Sequence, residues 1–412
     1  MAETRRLVYV LERFPSDTLN FVYNEIDVLE REGFDIRVFS LLPPVYCPRD
    51  AERFLARTRM VRPAGAAGLV RALAHYAARR PGRLLHAGWR LLRGLENPSP
   101  GRLARSLFHF LVGVRFAYLA RDAGAPVHAH FAFKAATAAL VASELDGTPF
   151  SFTAHGSAVV LPDSRYSLAP KVRAAARVVA VSEYNRRVML ELCPDVPPER
   201  IVVNRTGIRL ERFPYRDPDI DPARPLRLVN VASLYPVKNH EGMLAVAAEL
   251  KRREVPFTLD VYGKDDAGRR VALERRAAEL GVAAVVHFRG LLDHADVPGV
   301  LAEHDVFLLT SHSEGVPVAV MEAMATGLPV VVSRVTGVPE LVRDGETGFL
   351  APPNDPALFA QRLAELHADP ALSRRLAQAA RATVEADYDM EKNARRLARL
   401  FTDYLAEVAR SG

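Results

Sequence analysis

Residues 311–329 read Ser-His-Ser-Glu-Gly-Val-Pro-Val-Ala-Val-Met-Glu-Ala-Met-Ala-Thr-Gly-Leu-Pro and directly follow a strand-like run, Asp305–Thr310. The pattern predicts a helix over Val316–Thr326, because Pro317 suits the first turn of a helix, where its missing N–H is not needed. Gly315 is expected to let the chain turn sharply before that helix. The free N–H groups of a first helical turn can bind an anion such as a diphosphate. The pattern therefore predicts an anion-binding loop at the carboxyl end of a strand, where open α/β sheets bind their ligands.

Two acidic residues flank the predicted start of this helix. Glu314 precedes the helix in the loop, whereas Glu322 lies about two turns inside it. A carboxylate can accept two hydrogen bonds from vicinal hydroxyls, which makes it a natural partner for a ribose. The spacing lets one acid reach a bound sugar and the other a different part of a nucleotide. The alternative is an ordinary helix start that carries two surface glutamates.

Strand-like and helix-like segments alternate throughout the second half of the chain. This alternation predicts a parallel sheet covered on both faces by helices. We therefore expect a Rossmann-like α/β domain over residues 226–387. Its predicted strands are Leu226–Ala232, Phe257–Tyr262, Val285–Phe288, Val306–Leu309 and Val330–Ser333, and the other helices include His240–Arg253 and Ala267–Leu280.

The first half shows the same alternation, and 412 residues are too many for one compact core. We expect a first Rossmann-like domain over residues 1–213. Four prolines interrupt residues 213–225, which predicts a linker at 214–225. The last stretch, 388–412, is predicted to be a helix that packs back on the first domain. The strands predicted in the first half are Leu7–Leu11, Asp35–Leu41, Val127–Phe131, Phe150–Ala154, Val178–Val181 and Ile201–Val203.

Residues 311–329 resemble the signature of the family 4 (group 1) retaining glycosyltransferases, in which seven residues separate two glutamates, here Glu314 and Glu322. The likeness continues through Gly337-Val-Pro-Glu340 and 344–350, and more loosely through 151–156 in the first half. The resemblance implies a GT-B architecture, with two Rossmann-like domains that face each other across a cleft. It also implies a nucleoside-diphosphate sugar as co-substrate, bound between the domains.

The resemblance further implies roles for individual residues. Glu322 would hold the ribose hydroxyls, and Glu314 would hold a hydroxyl of the donor sugar beside two backbone N–H groups. Glu340 is placed near the donor, and Gly263 follows a strand where the backbone must approach the nucleotide closely. The donor-binding residues expected on this basis are Ser233, Lys238, Gly263, Glu314, Gly315, Val316, Pro317, Glu322 and Glu340.

Lys238 is the best candidate for neutralising the diphosphate, because it lies in the loop after the first strand of the second domain. The family usually places an arginine five residues before this lysine, and here that position is Ser233. Stabilisation of the leaving group would then rest on Lys238 and helix ends. Together with Glu314 and His155, Lys238 forms the expected catalytic set. The alternative for a lone loop lysine is that it is merely solvated.

The first half offers candidates for the donor sugar and the acceptor. In the family a histidine placed like His155 contacts the donor sugar, and the alternative is a core histidine whose hydrogen bonds are satisfied. His130, which has His128 two residues before it, and Lys171 are weaker candidates on the acceptor side. The segment after the first strand adds three low-ranked acceptor candidates, Ser16, Asp17 and Thr18.

Metal and redox chemistry are not expected. No Asp-x-Asp metal site is evident, and Cys47 and Cys193 lack metal-ligand spacing, so we expect no metal and no cofactor beyond the sugar nucleotide. Two distant cysteines suit a reducing cytoplasm. No signal-peptide core follows Met1, and apolar runs such as 107–114 are shorter than the roughly 18 residues of a membrane span. These features favour a soluble, cytoplasmic protein.

Residues 69–121 are strongly basic, with ten arginines against one acid, Glu96. No nucleic-acid-binding motif accompanies them, so no nucleic-acid partner is expected. The arginines alternate with leucines, Trp89 and two phenylalanines, which indicates amphipathic helices. Such helices can lie on an anionic bilayer, here the inner membrane face, or bind an acidic acceptor. The alternative is a solvated helical insertion.

The sequence thus predicts transfer of a hexosyl or related group from a UDP- or GDP-type donor to a hydroxyl acceptor with retention of configuration. The acceptor can be a polysaccharide, a lipid-linked glycan or a small metabolite. The resemblance implies front-face attack, in which the departing diphosphate takes the acceptor's proton. Two alternatives stay open: a sugar-nucleotide epimerase or hydrolase of the same architecture, and a catalytically idle carbohydrate- or membrane-binding protein.

Overall fold

The computed structural model describes residues 5–16, 19–45, 47, 51–62, 65–93, 99–156, 159, 168–266 and 268–411. Two of the acceptor candidates, Asp17 and Thr18, lie outside this set. Contacts divide the chain into two compact units. The first comprises Met1–Arg205 with Glu391–Gly412, and the second comprises Thr206–Met390.

The first unit is built on a parallel sheet with the strand order β3-β2-β1-β4-β5-β6-β7 within the described residues. Strand β1 buries five consecutive residues, as expected for a strand covered on both faces. The strands are β1 Arg5–Arg13, β2 Phe34–Leu42, β3 Arg59–Met60, β4 Val127–His130, β5 Phe150–Ala154, β6 Arg177–Ala180 and β7 Ile201–Val203. The helices are α1 Asn20–Arg31, α2 Glu52–Leu55, α3 Gly65–Arg79, α4 Pro81–Arg93, α5 Pro100–Ala120, α6 Lys134–Asp146, α7 Leu168–Ala174 and α8 Glu183–Leu192.

The second unit has a parallel sheet with the order β10-β9-β8-β11-β12-β13. Its strands are β8 Leu226–Val231, β9 Phe257–Tyr262, β10 Val286–Gly290, β11 Val306–Leu309, β12 Val330–Ser333 and β13 Phe349–Ala351. Its helices are α9 His240–Arg252, α10 Arg270–Glu279, α11 Val297–Ala302, α12 Val318–Thr326, α13 Val338–Leu341, α14 Pro356–Ala368 and α15 Pro370–Asp387. The last helix, α16, spans Met390–Ser411.

Helix α16 is part of the first unit from Glu391 onward. It buries Leu397, Phe401 and Tyr404, which are spaced by four and three residues and so lie on one helical face. These side chains share a core cluster with Tyr9 of β1, whose ring centroid lies 6.3 Å from that of Phe401. Apolar burial along this face attaches the C-terminus to the first sheet.

The proline-rich passage over 213–225 lies against the second unit. The backbone N–H of Arg216 donates to the Thr326 carbonyl at 3.0 Å, and a Cβ added to Gly327 would come within 2.0 Å of the Arg216 carbonyl oxygen. The chain therefore passes between the units at 205/206, eight residues before the linker predicted from the prolines. Proline content indicates where regular structure stops, but it does not show which unit the passage packs against.

The expectation that every apolar segment falls short of a membrane span needs a correction. Among the described residues one helical stretch of 24 residues, Pro100–Ala123, is long and apolar enough to cross a bilayer by length and composition. Packing within the first unit accounts for part of this apolar character, since 39% of an apolar 18-residue window of the stretch is buried. A Cβ on Gly113 would lie 2.9 Å from Cβ of Val141 in α6, and Val112, Val114 and Phe116 are buried.

Candidate functional site

The strand order of the second unit locates its switch point. From β8 the chain adds β9 and β10 on one side of the sheet, and then β11, β12 and β13 on the other. The order reverses between the neighbouring strands β8 and β11. Open α/β sheets bind ligands at the carboxyl ends of the strands next to such a reversal. The loops after β8 and β11 carry Lys238 and Glu314, respectively.

The loop after β8 is fastened to the loop after β11 by Asn239. This residue adopts a left-handed conformation (φ 53°) and caps α9, with Oδ1 accepting from the N–H of Gly242 at 3.0 Å. Its Nδ2 donates to the Thr310 carbonyl at 3.0 Å, and the Thr310 hydroxyl donates to the Asn239 carbonyl at 2.9 Å. These buried bonds hold Lys238 beside the end of β11.

Lys238 and Glu314 form an ion pair, with Nζ 2.7 Å from Oε1. The same carboxylate oxygen accepts a hydrogen bond from the Ser311 hydroxyl at 2.6 Å. The Glu314 side chain is 8% exposed and that of Lys238 is 25% exposed. An acidic and a basic group are thus held together at the switch point with a path to solvent. Such a pair can offer acceptors to a sugar hydroxyl and donors to a phosphate.

The backbone of Glu314 is fixed from the loop after β12. Its N–H donates to the hydroxyl of Thr336 at 3.0 Å, and that hydroxyl donates in turn to the Glu314 carbonyl. The positive φ in this region belongs to Thr336 (44°), whereas Gly315 is not among the residues with positive φ. The chain does bend at Gly315 and Val316, as predicted, but without a positive φ at Gly315. The bonds to Thr336 also hold this loop.

Helix α12 starts later than predicted. It begins at Val318, and Pro317 is the residue before it, with φ −73° and ψ 119° and no side-chain hydrogen bond to the first turn. Val320 and Met321 already direct their N–H groups to the Pro317 carbonyl. An extended residue cannot belong to the first helical turn, so the prediction of a helix from Val316 is corrected. The start of α12 still faces the loop that contains Glu314.

Glu322 lies in the second turn of α12 and is buried, with 4% of the residue exposed. Its Oε1 is 3.2 Å from Nε2 of His294, a residue of the segment after β10 whose side chain is 36% exposed. Sequence reasoning missed His294, because nothing local in the segment 291–296 indicates a partner 28 residues away. The pairing gives a buried carboxylate one polar contact.

The other predicted donor residues lie along the same carboxyl edge. Ser233 and Gly263 lie in the loops after β8 and β9, and a Cβ on Gly263 would meet the Ala232 carbonyl oxygen at 2.0 Å. Gly263 is therefore required for the crossing of two loops. Glu340 belongs to the short helix α13 and is half-buried, as are Gly315 and Val316. The predicted donor residues thus lie in one unit, on the loops after β8, β9 and β11 and on the helices α12 and α13.

A cavity of about 350 Å³ occurs at the opposite, amino edge of the second sheet. Its charged residues already have protein partners, since Arg227 pairs with Asp305 at 2.6 Å and His367 contacts the Arg224 carbonyl at 2.9 Å. We interpret these contacts as structural, because they join the starts of β8 and β11 to α14.

In the first unit His155 ends a chain of polar contacts. Its Nε2 is 3.3 Å from Nδ1 of His130, whose Nε2 is 3.1 Å from Oε1 of Glu25. The Tyr9 hydroxyl donates to the same oxygen at 2.6 Å. A carboxylate only accepts, so His130 directs an Nε2–H to Glu25, and the direction of its bond with His155 depends on the tautomers of the two rings. Burial, and then the neighbouring His130, lower the pKa of His155 well below its usual range, so its ring is neutral.

His128 and Lys171 are buried for different reasons. His128 contacts the hydroxyls of Ser151 (2.8 Å) and Thr153 (2.9 Å), which matches a core histidine whose hydrogen bonds are satisfied. Lys171 is 2% exposed and donates to the Ala132 carbonyl at 2.7 Å. Burial lowers the pKa of Lys171 to about 7. An amine that is partly neutral at physiological pH is uncommon and is often found at functional sites.

The remaining acceptor candidate, Ser16, is tied to α1 through Tyr23. The Ser16 N–H donates to the Tyr23 hydroxyl at 2.6 Å, and that hydroxyl donates to the Ser16 carbonyl. Among the described residues no group of three or more His, Cys, Asp or Glu side chains is arranged to hold a metal ion. Metal-independent chemistry stays a prediction.

Solved structures share this fold over nearly the full chain. Anabaena Alr3699/HepE in complex with UDP-glucose matches with a TM-score of 0.70 at 18% identity, covering 96% of this chain and 99% of that chain. The sucrose-phosphate synthase (tll1590) from Thermosynechococcus elongatus matches with a TM-score of 0.76 at 18% identity, covering 98% and 100% of the two chains. The protein therefore has the GT-B fold, which confirms the predicted fold class.

Sequence comparison identifies the family. The family model for Glycosyltransferase Family 4 matches residues 20–212, and that for Glycosyl transferases group 1 matches residues 216–383. WcaL of Escherichia coli (strain K12), which is named as a colanic acid biosynthesis glycosyltransferase, is 37% identical over 216 residues, or 50% of this chain and 51% of WcaL. The chain belongs to the group 1, family 4 glycosyltransferases. It spans about half the length of the curated relatives it matches.

Proposed function

We propose that this protein transfers a sugar from a UDP- or GDP-type nucleoside-diphosphate sugar to a hydroxyl acceptor, with retention of anomeric configuration. The Lys238–Glu314 ion pair at the switch point of the second sheet carries this proposal. It places a cation and a buried carboxylate where a parallel α/β sheet binds its ligand. Family membership supplies the reaction class, and relatives named for colanic acid and amylovoran biosynthesis favour the synthesis of a polysaccharide.

The donor would bind along the loops at the carboxyl ends of β8 and β11. Lys238 would contact the diphosphate together with the N–H groups at the start of α12, since the positive end of a helix dipole attracts phosphate. Glu314 would accept a hydrogen bond from a donor-sugar hydroxyl, and Glu322 would accept from the ribose. Ser233 adds no charge, so Lys238 is the lysine on which neutralisation of the leaving group depends in this proposal.

In the proposed reaction the acceptor oxygen bonds to the anomeric carbon on the face from which the diphosphate departs. The bond from that carbon to the phosphate oxygen breaks with its electron pair on the diphosphate. The acceptor proton passes to the departing phosphate oxygen, which leaves charge and atoms balanced. Lys238 stabilises the charge that develops on the diphosphate, as preorganised cations do in group transfer. A role of His155 in this step stays a prediction.

The proposal is tested first by donor binding. UDP-, GDP-, ADP- and dTDP-sugars are screened by thermal shift, since a ligand that binds only the folded chain raises the melting temperature. UDP-glucose is the first donor to try, because HepE was solved with it. A shift produced by a UDP- or GDP-sugar and lost in Glu322→Ala supports the proposal. No shift with any of the four donors contradicts it.

The products distinguish transfer from the alternatives. Incubation with the bound donor and a set of glycan or lipid-linked acceptors should give a glycoside whose anomeric configuration, read by NMR, equals that of the donor. Donor consumption that is equally fast without any acceptor would instead identify a hydrolase or epimerase. An inverted product would refute retention while leaving transfer intact.

A further inference from the structure

Apolar side chains are exposed along one face of α4 in the first unit. Leu85, Trp89 and Leu92 are 75%, 58% and 46% exposed. Their spacing of four and three residues puts them on one stripe, at about 100° per residue. Ala87 and Leu91, on the opposite face of the helix, are buried. Helix α4 therefore has two apolar faces, of which one is buried in the core and the other is exposed to solvent.

Helix α5 extends this exposed apolar surface. Its Leu103, Leu107 and Phe108 are 42%, 57% and 37% exposed. The two helices pack together, since a Cβ on Gly88 of α4 would lie 3.7 Å from the ring of Phe110 in α5. We call the exposed residues of both helices the apolar ridge: Leu85, Trp89, Leu92, Leu103, Leu107 and Phe108.

Arginines flank the apolar ridge. The guanidinium carbon of Arg93 lies 5.8 Å from the ring centroid of Trp89, and that of Arg62 lies 5.3 Å from the ring centroid of Phe108. The described parts of 69–121 contain ten arginines and no acid before Asp122. Three of these arginines pair with carboxylates: Arg80 and Arg90 with residues of α6, and Arg121 with Asp122. The surface around the ridge therefore stays strongly positive.

We propose that the apolar ridge and its arginines bind the surface of a bilayer that contains anionic lipids. Leucine and tryptophan side chains can enter the boundary between headgroups and acyl chains while arginines stay at the phosphates. An arginine near an anionic bilayer strengthens binding by about five-fold. A second copy of this chain would bring two positive surfaces together, which charge repulsion disfavours. The inference does not depend on the proposed activity, because its readout is binding.

The single tryptophan makes the test direct, because Trp89 is the only one in the chain. Its emission in the unmodified protein should move to shorter wavelength on vesicles of phosphatidylethanolamine and phosphatidylglycerol at about 3:1, and brominated lipids should quench it. Vesicles of phosphatidylcholine alone should have little effect. Binding should weaken as NaCl rises from about 0.05 M to about 0.5 M, since salt screens surface charge.

Two variant pairs separate the apolar and the charged contributions. Leu85→Ser with Leu92→Ser keeps the Trp89 reporter and should lower vesicle partitioning more than about 10-fold. The matched control is Val271→Ser with Leu291→Ser, which changes two residues of the second unit that are 75% and 70% exposed. Arg62→Gln with Arg93→Gln should lower partitioning by about five-fold for each arginine. Its control is Arg187→Gln with Arg275→Gln, on exposed helical positions elsewhere.

Three results would overturn the proposal. The first is Trp89 emission that does not change with anionic vesicles, or changes equally with neutral ones. The second is a loss of binding in the control pairs as large as in the ridge variants. The third is a shift of the emission that grows with protein concentration without lipid, which would identify a second copy as the occupant. Melting temperatures close to that of the unmodified chain would show that each variant is folded.

Discussion

Lys238 and Glu314 are 76 residues apart in the chain, yet Nζ of one lies 2.7 Å from Oε1 of the other. They meet because β8 and β11 are neighbours in the sheet and their loops are joined through Asn239 and Thr310. The lysine charge is balanced by a carboxylate before any ligand arrives. A bound diphosphate would therefore share Lys238 with Glu314, because the lysine is already paired with a carboxylate.

Removal of the Lys238 charge should mainly slow turnover. Lys238→Ala is expected to lower kcat by about 10²–10³-fold, the usual cost of losing one preorganised group that stabilises developing charge. Donor KM should change less, and Lys238→Arg should keep part of the rate. The control is Lys251→Ala, which removes an exposed lysine at the end of α9. Steady-state kinetics that show kcat within two-fold of the unmodified chain in Lys238→Ala would refute its assigned role.

Removal of the Glu322 carboxylate should mainly weaken donor binding. Charged hydrogen bonds contribute about 1.5–3 kcal/mol each, so Glu322→Ala should raise donor KM by about 10–100-fold. His294→Ala should have a smaller effect in the same direction, because His294 contacts the carboxylate at 3.2 Å. Glu279→Ala on the surface of α10 is the control. An unchanged KM in Glu322→Ala would exclude Glu322 from the donor site.

Lys171 should make stability depend on pH. Its folded pKa is about 7 because of burial, whereas an unfolded lysine titrates near ~10.4. Between these values the unfolded chain binds more protons, so the free energy of unfolding rises with pH by up to about 1.4 kcal/mol per unit. Burial lowers the pKa of nearby His109 to about 4, so folded His109 does not change its protonation state between the two pKa values of Lys171.

The measurement compares the unmodified chain with Lys171→Met, which cannot titrate. The melting temperature of the unmodified chain, minus that of the variant, should increase from about pH 7 to about pH 9.5. Subtraction removes the contributions of all other groups. A difference in melting temperature that stays constant over this range would mean that the pKa of Lys171 is not lowered in the folded chain.

Gly263 should be essential to the fold of the donor edge. Gly263→Ala would place a Cβ 2.0 Å from the Ala232 carbonyl oxygen, and relieving such overlap costs about 1–3 kcal/mol or more. Gly299→Ala is the matched control, because a Cβ there meets nothing within 4 Å, and in helix α11 alanine should stabilise by about 0.5–1 kcal/mol. Urea unfolding curves that show equal stability for both variants would contradict the close crossing.

The alternation of strands and helices was enough to predict two parallel sheets, because period and turn residues are local signals. Two short strands are not predicted: β3 has only two residues, and β13, Phe349–Ala351, lacks the β-branched residues that mark the equally short β7. The start of α12 was placed two residues early, because proline statistics do not distinguish the residue before a helix from its first turn.

In the candidate site, too, some features can be predicted from the sequence and others cannot. Glu314, Glu322 and Lys238 were identified from their motifs, whereas the contacts that position them were not. His294 contacts Glu322 from a loop 28 residues away, and Thr336 contacts Glu314 from a loop 22 residues away. Such contacts depend on the order of strands in the sheet, and no spacing in the sequence encodes them.

The most direct test is a crystal structure of the protein with a bound nucleoside diphosphate. Diphosphate oxygens are expected within hydrogen-bond distance of Lys238 Nζ and of the N–H groups at the start of α12, and the ribose hydroxyls are expected on Glu322. A nucleotide in the cavity at the amino edge, beside Arg224 and Arg227, or one that leaves the Glu314 and Glu322 carboxylates without contact, would contradict this expectation.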